Sequence, residues 1–179
     1  MPMKITWWLT ILMLTSSHFV WASPNGPLIK DFGTAYPIPE RTFRLPDKPA
    51  LHAVFDIYDN RKKVANHNQL IDSIARLLNM HHQTGNDITK FKIFAVVHGR
   101  GIYDVLNDKA YQSRFGRKNP NRSLVKALQQ AGVRFVVCGQ TMKFAGINHS
   151  ELIENVDVGL SAMSTLIFLQ NKGYAYIRQ

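Results

Sequence analysis

The chain has 179 residues, 45% of them hydrophobic and 19% charged, with 22 lysines and arginines against 12 acids and a formal net charge of +10. That length suits one domain, and the apolar fraction is enough to build a core, which excludes a disordered chain. A single cysteine, Cys138, excludes an intramolecular disulfide, so core packing alone must hold the fold.

Lys4 precedes an apolar run from Ile5 to Leu14, and Val20-Trp21-Ala22 places small residues at the −3 and −1 positions of a cleavage site. This three-part pattern predicts a secretory signal peptide over residues 1–22. The apolar run is shorter than the ~20 residues of a membrane span. No stable span is therefore expected after cleavage, and the expected location is the periplasm or the exterior. An uncleaved anchor is the alternative. Export also argues against nucleic acid as the partner of the positive charge.

Residues 23–49 carry Pro24, Pro27, Pro37, Pro39, Pro46 and Pro49, which oppose both helix and central strand. They read as an N-terminal arm, either extended over the domain or reaching a neighbouring subunit, with a disordered linker as the alternative for the first part. Residues 50–179 read as one α/β domain.

Leu51 to Tyr58 is apolar and β-prone and predicts a first strand. Asn66 or Asn68 then caps a helix in which Leu70, Ile71, Ile74, Leu77, Leu78 and His81 share one face. Phe91 to Val97 predicts a second strand. After His98-Gly99-Arg100-Gly101 comes a weaker helical stretch, Ile102 to Leu106, and then a basic polar loop from Lys109 to Lys118. Asn119-Pro120 predicts a helix start, with Asn as cap and Pro at the first helical position, and Gly132 ends that helix. Val133 to Cys138 is a third strand, followed by a short helix over Gln140 to Phe144. Val156 to Leu160 is a fourth strand. Ser161 caps a last helix through Lys172, and Tyr174 to Ile177 is a fifth strand.

Strands separated by helices imply a parallel sheet covered on both faces, with ligands bound beyond the carboxyl ends of the strands. Cys138 lies at such an end and opens a helix, where N–H groups and the helix dipole favour thiolate. Gly139 allows close backbone approach to a ligand, and Gln140 sits beside it. His98 ends the second strand. With the second and third strands adjacent, it lies at the same edge as Cys138 and could take the thiol proton or hold an anion. The residues alone leave open a buried inert thiol and a histidine that merely satisfies a loop carbonyl. Gly99 and Gly101 permit a tight turn or a small anion cradle, without any glycine-rich fingerprint. Lys109, Arg114, Arg117, Lys118 and Arg122 form a basic cluster, read as an anion site or a solvated surface. His81 and His82 point in different directions on a helix, so no metal site is expected, and no cofactor motif is present.

Taken together, "FKIFAVVHGRGI", "NPNRSLVKALQQAGV", "RFVVCGQTMKFAGI" and "VDVGLSAMSTLIFLQNKGYAYI" resemble the DsrE/DsrF-like family over most of the domain. The resemblance implies a three-layer α/β/α sandwich with a five-stranded parallel sheet, assembled as a homo-oligomer, trimer or hexamer. In the sulfur-relay members of that family a cysteine at this strand end accepts sulfane sulfur as a persulfide, and Cys138 occupies the matching place. The expected function is sulfur handling by an exported protein that exchanges sulfur with a donor or acceptor protein. The alternative is a non-catalytic oligomeric module that binds a small anion or an envelope protein. A third reading is a redox sensor that cross-links chains through Cys138.

Overall fold

The structure is a computed structural model and describes residues 26–45, 49–60 and 66–178. The signal segment expected at residues 1–22 lies outside the described residues. Five strands form one sheet: β1 (His52–Ile57), β2 (Lys92–Val97), β3 (Arg134–Cys138), β4 (Val156–Gly159) and β5 (Ala175–Ile177). Their order is β4-β3-β2-β1-β5, and every adjacent pair is parallel. Parallel neighbours need crossover connections, and the chain supplies them as helices.

The helices are α1 (Gln69–Gln83), α2 (Asp108–Phe115), α3 (Arg122–Gln130), α4 (Gly139–Phe144) and α5 (Ala162–Asn171). Helices α1 to α4 contribute Leu70, Ile71, Ile74, Leu78, Tyr111, Leu124, Leu128 and Met142 to the larger core. The strands meet them with Phe55, Ile57, Ile93, Ala95, Val97, Phe135 and Val137. The opposite face of the sheet holds a smaller core of Val54, Val96, Cys138, Ala162 and Leu169, covered by α5. The period of two along each strand makes this division: even-numbered residues of β1, β2 and β3 face α5, and odd-numbered ones face the larger core. Each fully buried aliphatic side chain contributes on the order of 2 kcal/mol, so most of the stability resides on the α1–α4 side.

Of the two asparagines offered as caps for α1, Asn68 fills the role, its side chain accepting from Leu70 N. Farther along that helix, buried Asn79 binds the arm. Its Oδ1 accepts from Leu28 N and Ile29 N (3.3 and 2.9 Å), and its Nδ2 donates to Phe32 O and Gly33 O, both at 2.9 Å. Gly33 has φ +63°, and a Cβ there would fall 2.3 Å from Arg76 N. Only glycine lets the backbone turn this closely on the helix. Beyond Ala35 the arm leaves the body, and Tyr36, Ile38, Phe43 and Leu45 are exposed.

Two sequence expectations need correction. The stretch expected as a basic loop from Lys109 to Lys118 is mostly helix α2. Asn107 caps it by accepting from Ala110 N at 2.9 Å, and Gly116 ends it in the left-handed conformation with φ +70°. Few apolar residues mark its inner side, chiefly Ala110 and Tyr111, so the helical period was too weak to read. Helix α3 starts at Arg122 rather than at Pro120, and Asn119 does not cap it. Asn119 Nδ2 instead donates to the backbone oxygens of Asp104 and Leu106, at 2.9 and 2.6 Å.

The displaced asparagine belongs to a network around Asp104, which is buried on the α1–α3 side. Its carboxylate accepts from Nδ2 of Asn60, Asn68 and Asn121 at 3.0, 2.7 and 2.8 Å. It thereby ties the end of β1 to the starts of α1 and α3. Burial raises its pKa to about 6, against the lowering effect of the three amides. The folded chain therefore keeps a proton that the unfolded chain, near 3.8, has already released. Stability contributed here falls as pH rises from about 4 to about 6. Relative to Asp104→Asn, which cannot titrate, the wild type is expected to lose about 2–3 kcal/mol of unfolding free energy between pH 4 and pH 7. Urea denaturation of both chains across that range checks this; a pH-independent difference would refute it.

Candidate functional site

The carboxyl end of β3 delivers Cys138, and α4 starts at the next residue, with Cys138 as its N-cap. The residue is 6% exposed. Its Sγ accepts from Thr141 N at 3.5 Å. Burial pushes the thiol pKa up, but the Thr141 hydroxyl and the N–H groups of Thr141, Ala162 and Gln140 together outweigh that and hold it below the ordinary value. Thr141 and Gln140 belong to the start of α4, and Ala162 is the first residue of α5. Dipoles from two helix starts therefore act on one sulfur, with the Thr141 N–H at hydrogen-bond distance. Such donors stabilise an anion there.

His98 lies one residue past β2, extended, with its N–H bound to Ile57 O at 2.9 Å. Val97 pairs with Val137 across β2 and β3, so His98 and Cys138 occupy the next level on neighbouring strands. The His98 imidazole turns toward β1, where its Nε2 lies 2.7 Å from Asp56 Oδ1. Asp56 is buried, and its other oxygen accepts from Tyr176 Oη at 2.6 Å. In the sequence Asp56 lies within the first expected strand and Tyr176 within the fifth. A single acid inside the apolar strand was the one signal available for the first. Nothing local marked the second, because its relation to Asp56 depends on β5 lying beside β1.

The glycines nominated as ligand contacts lie against the chain's own backbone. A Cβ on Gly99 would meet Tyr58 O at 2.5 Å, and one on Gly101 would meet Ile57 O at 2.7 Å. These two residues seat a 3₁₀ helix, Gly99–Val105, on the end of β1. A Cβ on Gly139 would meet Gly159 O at 2.7 Å, so this glycine lets α4 start against the end of β4. Gln140 presents its backbone N–H to Cys138, while its side chain reaches Leu160 O at 3.4 Å. In the basic cluster, Arg114 pairs with Glu151 at 2.7 Å and Arg122 with Asp108 at 3.7 Å. His81 bonds Asn86 and stacks edge-on against Phe91. No group of three or more metal-ligating side chains occurs among the described residues, and no described helix is long and apolar enough to cross a membrane.

The outer surface of this layer is apolar. On the α5 side Leu160 is 78% exposed and Met163 74%, with Ile167 and Phe168 also exposed. The ten residues of α5 include no charged side chain.

A model of the DsrE/DsrF-like family matches residues 54–178. Among solved structures, the chain is similar to MTH1491, a protein of unknown function from Methanobacterium thermoautotrophicum. Identity is 24% and the TM-score 0.56, over 72% of this chain and 99% of that one. It is also similar to the ychN protein of E. coli, with 12% identity and a TM-score of 0.51, over 72% of this chain and 100% of that one. At these identities the likeness to the solved structures speaks for the fold. A comparison with curated proteins finds no match.

Replacing Thr141 by valine keeps the shape and the backbone N–H but removes the hydroxyl donor to the sulfur. Alkylation of Cys138 at neutral pH is expected to slow about three- to tenfold, the value of one hydrogen bond. An unchanged iodoacetamide rate would show that the hydroxyl does not hold the thiolate.

Proposed function

This chain belongs to the DsrE/DsrF-like family, a membership that suggests a role related to sulfur relay, and from that premise we propose that Cys138 carries sulfane sulfur as a persulfide. The observation that supports this most directly is the place of Cys138 at the end of β3 and the start of α4, where its sulfur accepts from Thr141 N at 3.5 Å. In the proposed step the Cys138 thiolate attacks the outer sulfur of a donor persulfide, R–S–SH. A bond forms between the two sulfurs, the donor S–S bond breaks, and the electron pair leaves with R–S⁻. Cys138 becomes Cys–S–SH with no external oxidant. Deprotonated, this species places its charge on the terminal sulfur. Transfer to an acceptor thiolate repeats the same displacement.

The proposed setting is the cell envelope, through the export segment expected at residues 1–22. A lone thiol suits that compartment, since it has no second cysteine in the chain with which to close a disulfide.

We further propose that the chain is a homo-oligomer whose copies meet through the α5 layer. Helix α5 buries only Ala162 and Leu169 within the chain and leaves Met163, Ile167 and Phe168 exposed, an apolar patch that calls for a partner. The second copy is the favoured occupant because α5 is uncharged. Like faces then meet without setting like charges of the two copies, each formally +10, directly opposite one another.

For the sulfur reading, incubation with a sulfane donor is expected to add 32 Da to the intact chain, about the mass of one sulfur atom, reversed by a reducing thiol and absent from Cys138→Ser. Uptake undiminished in Cys138→Ser would remove the assignment. For the assembly, light scattering of the exported form is expected to give a multiple of the chain mass, collapsing to one chain in Met163→Asp/Ile167→Asp. A monomeric wild type would refute the interface.

A further inference from the structure

The carboxyl ends of the strands hold a row of polar side chains that follows the order of the sheet: Tyr176 on β5, Asp56 on β1, His98 beyond β2 and Cys138 on β3. All four have even numbers and lie on the α5 face, where Cys138 itself joins Val54 and Val96 in the small core. A carboxylate buried on such a face is costly unless it is well bonded. Asp56 is bonded twice, by His98 and Tyr176, each from a different neighbouring strand. Neither donor side chain makes another hydrogen bond among the described residues. Arg178 lies nearby, its guanidinium 4.8 Å from the centre of the Tyr58 ring, and Tyr58 in turn packs at 6.5 Å from the His98 ring.

A carboxylate oxygen only accepts, so the nitrogen facing it must carry the hydrogen. With Nε2 bound to Asp56, the neutral His98 ring has its lone pair on Nδ1. That nitrogen makes no hydrogen bond among the described residues. His98 stands at the same level as Cys138 on the adjacent strand, and neighbouring strands lie about 4.8 Å apart. We propose that Asp56 and Tyr176 are positioning residues that act through His98: they fix its proton on Nε2 and leave Nδ1 as the base that takes the proton of Cys138. The S–H bond breaks, the electron pair stays on sulfur, and the proton moves to Nδ1. The resulting imidazolium is held by the Asp56 charge, and Tyr176 keeps the carboxylate from rotating away. This inference rests on Cys138 being the reacting thiol; it adds the machinery that deprotonates it.

The test uses the full exported chain with ¹⁵N-labelled histidine. At a pH where His98 is neutral, two-bond ¹H–¹⁵N spectra of the wild type are expected to show the Nε2–H tautomer. Asp56→Asn is expected to give a mixture or the Nδ1–H form. Iodoacetamide labelling of Cys138 at neutral pH is expected to slow about tenfold in Asp56→Asn and about two- to threefold in Tyr176→Phe. Neither substitution is expected to slow it further in a His98→Ala background, because both act through that ring. The Tyr176→Phe arm keeps the test decisive if Asp56→Asn folds poorly. An unchanged tautomer in Asp56→Asn overturns the proposal, and so do effects on labelling that persist in full without His98. Labelling needs no sulfur donor, so intact coupling together with failed sulfur uptake would strike the persulfide reading alone.

Discussion

Parallel pairing of all five strands is the constraint on which the candidate site depends. It sends every strand toward the same edge, so residues far apart in sequence end at one rim. Tyr176 and Asp56 are 120 positions apart and share a hydrogen bond of 2.6 Å. The register then decides which of those residues face the same way. A slip of one residue in β1 or β3 would move Asp56 or Cys138 to the opposite layer. The larger core on the α1–α4 side guards against such a slip, because it would turn Phe55, Ile57, Phe135 and Val137 toward the thinner layer.

The two faces of the sheet divide the work. On one, four helices and the Asp104 network close a dense, fully satisfied core; among the described residues no buried side-chain nitrogen or oxygen lacks a hydrogen bond. On the other, α5 is, among the described residues, the one helix that covers the sheet, and it leaves room for polar groups among a few apolar ones. The same helix supplies the Ala162 N–H to the Cys138 sulfur and presents uncharged apolar residues outward.

Electrostatics at the sulfur come from dipoles and hydrogen bonds rather than from ion pairs. The basic side chains read as a cluster in the sequence are in part taken up by Glu151 and Asp108. What remains around Cys138 is a set of short-range donors fixed by backbone geometry. Such donors are already oriented when charge develops, and salt screens them little. The glycines of the region serve that geometry indirectly, by letting helical segments start against the ends of β1 and β4.

The sequence by itself determined the α/β alternation, the strand that carries Cys138, and the helix start beside it, because these depend on local period, capping and breaker residues. Gly132 after α3 is of the same kind, whereas the choice of Asn68 over Asn66 as the cap of α1 was made in the structure. What it could not determine were relations that arise only when strands are ordered. Tyr176 meets Asp56 because β5 returns to the outer side of β1, and no residue near either one encodes that return. Asn119 looked like a helix cap from its neighbours, yet the buried network around Asp104 claims its amide, a demand that exists only in the folded core. The donor from Ala162 reaches Cys138 because α5 crosses the sheet at that end. Local rules specify elements, while the sharing of buried polar groups between elements is settled by tertiary packing, where each donor and acceptor must find a partner away from water.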